Sequence, residues 1–244
     1  MDERTLELMP RDEGTRDCFH TDVLRFDLDQ ILQHFTETID AIKAQFSVAD
    51  GLIGEGKSAE GENIWRAQIL FLVSAFDFYM HELTKYGLCE IYEGDWERTE
   101  KYENIQIRMK AIEQALRSGE GIDWFLDYIN GFYGTVTMVS FASVKDQLNL
   151  LGIEMTKVAE HAFYQVGSTE KPKDKLKRRL NGLSKRRNII AHQTDRAHTD
   201  AQILSISKEI VQDFIADIEM IVDGIDVKAR EKCRCVHPPS CGTA

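Results

Sequence analysis

The chain has 244 residues, 43% hydrophobic and 29% charged, with four prolines, sixteen glycines and a net charge of −11. This is the composition of a globular protein, too apolar for a disordered chain and too poor in proline and glycine for a fibrous one. Five cysteines, an odd number with three in the last twelve residues, do not make a disulfide framework.

Residues 1–22 are polar and acidic with no apolar core, so no signal peptide is expected. The longest apolar run, Ile69 to Phe76, is broken by Ser74 and too short to span a bilayer. A cytoplasmic location without membrane contact is the resulting expectation.

Helical spacing dominates the rest. Leu28, Ile31, Phe35, Ile39, Ile42 and Phe46 recur at steps of three and four and predict a first amphipathic helix. The glycine-rich stretch Asp50 to Gly61 reads as a loop. A second helix is expected from about Asn63 to Tyr92, with a centre apolar nearly all round, as in a helix packed on several sides. Two shorter helices follow, Glu103 to Arg117 and Trp124 to Phe132.

Gly134 to Val139 is the one strand-like stretch, and a single short run does not make a sheet. Ser143 and Asp146 suggest a cap for a helix ending near Gly152, followed by a helix from Met155 to Phe163. Pro172 suits the first turn of a helix running to about Ala191. Thr199 and Gln202 resemble a capping box for a last helix carrying Ile203, Ile206, Ile210, Phe214, Ile218, Ile221 and Ile225. The sequence thus predicts an all-α helical bundle: a polar segment 1–22, a helical domain 23–228 and a flexible cysteine-containing tail 229–244. In that tail Cys233, Cys235, His237 and Cys241 lack the paired C-x2-C knuckles of common zinc sites, so no metal or other cofactor is assigned.

The acidic average hides a sharp charge split. Lys171 to Arg187 contains nine basic residues and one acid, a local +8 on a body that carries −19 elsewhere. Such a split can mark a basic face for an anionic partner, or simply a solvated basic face. Within it Leu176, Leu180, Leu183, Arg187 and Ile190 step by four and three, so Arg187 lies on an apolar seam. A charge there must pair, snorkel or meet an anion. His192 follows at the helix end, where the macrodipole attracts positive charge. An arginine to hold a phosphate and a histidine to move a proton suffice to cleave RNA without a metal. Lys185 and Arg186, beside the pair, are the expected phosphate contacts. The bare spacing is not specific: Arg230 and His237 fit a looser form of it.

The stretch LKRRLNGLSKRRNIIAHQ, residues 176–193, resembles the signature helix of the HEPN superfamily, in which an arginine and a polar residue precede a histidine. RAQILFLVSAFDFYMHEL (66–83) and SFASVKDQLNLLGIE (140–154) look like its RiboL-PSP branch. The resemblance covers most of residues 60–225. It implies a HEPN-type helical bundle that dimerises and acts as a metal-independent endoribonuclease, often with an antitoxin or phage-defence partner protein. By this likeness Arg187 and His192 are the catalytic pair and Asn188 fills the polar slot. The tyrosine that some branches carry past the histidine is absent. The alternative class is a catalytically silent helical dimer that binds protein or nucleic acid.

Overall fold

The computed structural model describes residues 23–236 apart from 119–120, 134–135 and 198. Nine helices occur among the described residues: α1 Leu28–Gly54, α2 Ser58–Glu93, α3 Glu100–Glu103, α4 Met109–Ser118, α5 Asp123–Tyr133, α6 Phe141–Leu150, α7 Met155–Phe163, α8 Pro172–Gln193 and α9 Lys208–Val236. No strand occurs among these residues; Arg196 and Ile203 form an isolated antiparallel bridge. No helix is long and apolar enough to cross a membrane.

The expected all-α bundle is present. Helices α1 and α2 form a long hairpin, and the 36-residue α2 is the central element, touching α1, α5, α6, α8 and α9. Its apolar centre is the reason: Ile69, Leu72, Val73, Phe76, Tyr79, Met80 and Leu83 are all buried, which requires neighbours on more than one side. The start of α1 carries a capping box, with Asp27 and Gln30 satisfying each other's backbone N–H groups.

Several boundaries differ from the sequence reading, each for a local reason. The stretch 50–61 is mostly helix, because Gly51 and Gly54 take helical geometry and only Gly56, at φ 81°, turns left-handed. Gly61 lies in α2 against Ile53, where a Cβ would come within 2.5 Å of that side chain, so its role is close packing of the hairpin. Ser140, not Ser143, caps α6: its Oγ accepts from the Ser143 backbone, while Asp146 pairs with Lys101. The last helix begins at Lys208; Ala201 at φ 58° interrupts helical geometry over the Thr199–Gln202 stretch.

The tail reading is corrected as well. Helix α9 continues through 229–236, with Ala229 fully buried and Arg230 bridging Asp226 and Asp29. Cys233 sits 3.8 Å from the Tyr86 hydroxyl. His237 and Cys241, invoked for a zinc site, lie outside the described residues, as do residues 1–22.

Candidate nucleic-acid interface and its Arg–His pair

Helix α8 presents the candidate site because its apolar seam docks it onto α2 and α7. Leu176, Leu180 and Leu183 are buried to 1% exposure or less, each worth about 1.5–3 kcal/mol of transfer free energy. Pro172 stands in its first turn as expected, and the helix runs unbroken to Gln193, two residues past the anticipated end. Arg187 continues the seam and is half-buried, with Ile190 partly buried beyond it. No hydrogen bond or ion pair to the Arg187 side chain occurs among the described residues. Asn188 and His192 are exposed. Five helical steps separate Arg187 from His192, a rotation of roughly 140° in a regular helix, so the two side chains leave α8 on different sides.

The charge of the basic run is partly spent within the chain. Arg178 makes a bidentate pair with Glu170, at 3.0 and 2.9 Å, and Arg179 lies 3.2 Å from the buried Asp217. Burial raises the Asp217 carboxyl above its ordinary range, and Arg179 pulls it back down. Arg186 is the third paired cation. Its Nη2 donates to Asp195 Oδ2 at 2.7 Å and to the Ser205 carbonyl at 2.9 Å. Burial lowers the pKa of this guanidinium, Asp195 raises it and neighbouring Arg66 lowers it again. Arg186, expected at the phosphate, thus has its Nη2 engaged with a carboxylate within the chain.

Six of the nine cations have no carboxylate partner among the described residues: Lys171, Lys173, Lys175, Lys177, Lys185 and Arg187. Lys175 and Lys177 lie over the Phe163 and Phe141 rings. Lys173, Lys177, Asn181, Ser184, Asn188 and His192 fall on one side of α8, within about 100° of one another by helical rotation. That side is a cationic and polar strip ending at the imidazole. Lys185, expected beside the pair, is exposed at the strip's solvent margin.

Other polar and aromatic groups lie away from this helix. His81 sits 3.8 Å from Asp77, and Glu82 pairs with Lys85 at 2.6 Å in a nearly buried contact, so both are held inside the bundle. Among the aromatics, Phe125 is core, while Tyr128 and Phe132 stack at 6.0 Å on a cleft of about 930 Å³ that contains no α8 residue. Glu90, Glu93 and Asp95 cluster as acids, and Arg25 pairs with Glu90 and, at 2.6 Å, with Glu93.

The sequence reading missed Asp195 and Arg66. Asp195 is 0% exposed and joins Arg186 to Arg66, whose Nε donates to the same Oδ2 at 2.8 Å. The one available signal was an acid two residues past the helix end.

No family model matches the chain, and neither a curated protein nor a solved structure is similar enough to it to match.

Proposed function

We propose that the protein is a metal-independent endoribonuclease of the HEPN type, acting as a cytoplasmic homodimer in a toxin or phage-defence role, with an antitoxin or defence protein as partner. The observation that carries this reading is Arg187. It is a half-buried cation on an apolar seam, without a counter-ion among the described residues, five positions before an exposed imidazole on an unbroken helix. A partly desolvated guanidinium with no internal partner is costly to the fold and suited to a bound phosphate.

In this mechanism the six cations without carboxylate partners hold the RNA backbone. Arg187 spreads its donors over the non-bridging phosphate oxygens as negative charge grows there. His192 carries one of the two proton transfers, accepting from the 2′-hydroxyl as O2′ attacks phosphorus or donating to O5′ as the P–O5′ bond breaks, and solvent water carries the other. The products are a 2′,3′-cyclic phosphate and a 5′-hydroxyl. Asn188, exposed between the two groups, is the candidate for orienting the phosphate.

The rotation between Arg187 and His192 supports a site completed by a second protomer, since α8 has no distortion that would bring the pair together in one chain. The α2 face that exposes Phe71 and Phe78 favours, as a second reading, a helical dimer that binds without cutting. Incubating pure protein with RNA in EDTA separates the two. The nuclease reading requires cleavage by the wild type, none by His192→Ala, and 5′-hydroxyl ends. Ends bearing 5′-phosphate, or no cleavage at all, refute it.

A further inference from the structure

The turn that ends α8 is unusual in its backbone. Thr194 and Asp195 both occupy the left-handed region, at φ 50° and 59°. Aspartate visits that region at little cost, but a β-branched threonine does so only where its surroundings over-determine it. The surroundings are specific. The backbone N–H groups of Thr194 and Asp195 both point to the Ile189 carbonyl, the latter at 3.2 Å. The Asp195 carbonyl accepts from Leu204 N–H at 2.8 Å. Its side chain gathers Arg66 from α2 and Arg186 from α8 on the single oxygen Oδ2. The same guanidiniums reach the Leu204 carbonyl at 3.0 Å and the Ser205 carbonyl at 2.9 Å. One buried carboxylate thus joins α2, the last turns of α8 and the returning segment.

Such an assembly is a poor way to add stability alone. A buried ion pair roughly breaks even against apolar packing of the same size, and losing one partner strands the other charge. What it supplies is a fixed geometry, and the geometry it fixes is local. Arg186 immediately precedes Arg187, and Ile189 lies between Arg187 and His192. Asp195 is bonded to both and, being fully buried, touches no substrate.

We propose that Asp195, with Arg66 as its anchor on α2, is a positioning residue that sets the directions of Arg187 and His192 at the end of α8. This rests on the reading of those two residues as the reacting pair. Through the Ile189 carbonyl it holds the helix terminus closed. Through Arg186 it fixes the rotation of α8 about its axis, and with it the angle at which Arg187 leaves the seam.

The test compares Asp195→Asn, Asp195→Glu and Arg66→Gln with the wild type, using full-length protein. Amide exchange along α8 and the His192 ring resonances report on the turn, and RNA cleavage reports on kcat and KM. In Asp195→Asn, protection at Ile190 to Gln193 should fall at least tenfold while Leu176 to Leu183 stay protected. The His192 resonances should broaden or move, and kcat should fall by up to about 100-fold with KM nearly unchanged. Arg66→Gln should repeat the pattern in weaker form, and Asp195→Glu, which keeps the charge, should recover part of it. Protection lost along all of α8 in both the Asn and the Gln variant would make Asp195 a general structural residue and overturn the proposal. So would an unchanged helix end with unchanged kcat. If the wild type does not cut RNA, the nuclease reading falls, while the exchange profile and His192 spectrum still decide whether Asp195 governs this turn.

Discussion

Replacing Arg187 with methionine tests whether the arginine is kept at the fold's expense. The residue continues a seam whose other members, Leu176, Leu180 and Leu183, are buried to 1% exposure or less, and it has no counter-ion among the described residues. Methionine keeps the unbranched stem that packs on the seam and removes the charge. The variant should therefore change stability by no more than about 1 kcal/mol, in the direction of a gain, because no ion pair is broken and a partly desolvated cation is relieved. For a chain of this size that is a rise of up to about 2–4 °C in Tm. Leu183→Ala is the control: truncating a fully buried leucine costs about 2–5 kcal/mol, or roughly 4–20 °C. Thermal melts by circular dichroism read both, and an RNA digest in EDTA reads activity. Arg187→Met should melt at or above the wild type and cut nothing, while Leu183→Ala should melt early. A loss of more than about 2 kcal/mol in Arg187→Met would show that the guanidinium is satisfied within the fold, and the argument for its functional role would fail.

Three further outcomes follow from particular contacts. Removing residues 229–244 should destabilise the protein, since it deletes buried Ala229 and the Arg230 bridges to Asp226 and Asp29; an unchanged melting curve would contradict the docked end of α9. Burial raises the Cys89 thiol from its ordinary 9.0 to about 11, an effect that Arg25 opposes. The folded state thus holds this proton more tightly than the unfolded one. The contribution is fully present below pH 9 and is lost as pH rises through about 11, on the order of 3 kcal/mol. Cys89→Ala should lose less stability than the wild type over that range in urea melts, and parallel profiles would refute the assignment. Thr194→Gly should gain about 0.5–1 kcal/mol by removing a β-branched residue from φ 50°, and a loss would mean that the threonine side chain holds the turn.

Elements whose burial follows one helical period were legible in the sequence. The seam of α8 and the stripe of α1 declare their inward faces through the spacing of leucines, isoleucines and phenylalanines. The position of Arg187 on that seam was equally readable, because it depends on residues three and four apart. Boundaries set by single backbone conformations were not. Nothing in Thr199-x-x-Gln202 announces that Ala201 takes a positive φ, and nothing in four clustered glycines says that Gly56 alone turns left-handed while Gly61 packs on Ile53. The tail was misread because 229–236 looks polar, although Ala229, Arg230 and Cys233 meet partners on other helices. Arg186 shows the same difficulty at the site. Its partner Asp195 is nine residues on, and the Arg66 that completes the triad lies 129 residues before Asp195. Such couplings exist only once the chain is folded.

The proposed activity places Arg187 and His192 in one RNA-cleaving site, completed between two protomers. It is tested most directly by mixing Arg187→Ala and His192→Ala proteins under conditions where subunits exchange, and measuring RNA cleavage in EDTA. Each variant alone should be inactive. In a mixed dimer, one of the two shared sites combines the intact arginine of one chain with the intact histidine of the other, so part of the wild-type rate should return. Mixed dimers that demonstrably form and still leave RNA intact would contradict the shared site. Cleavage by either variant alone at the wild-type rate would contradict the pair itself.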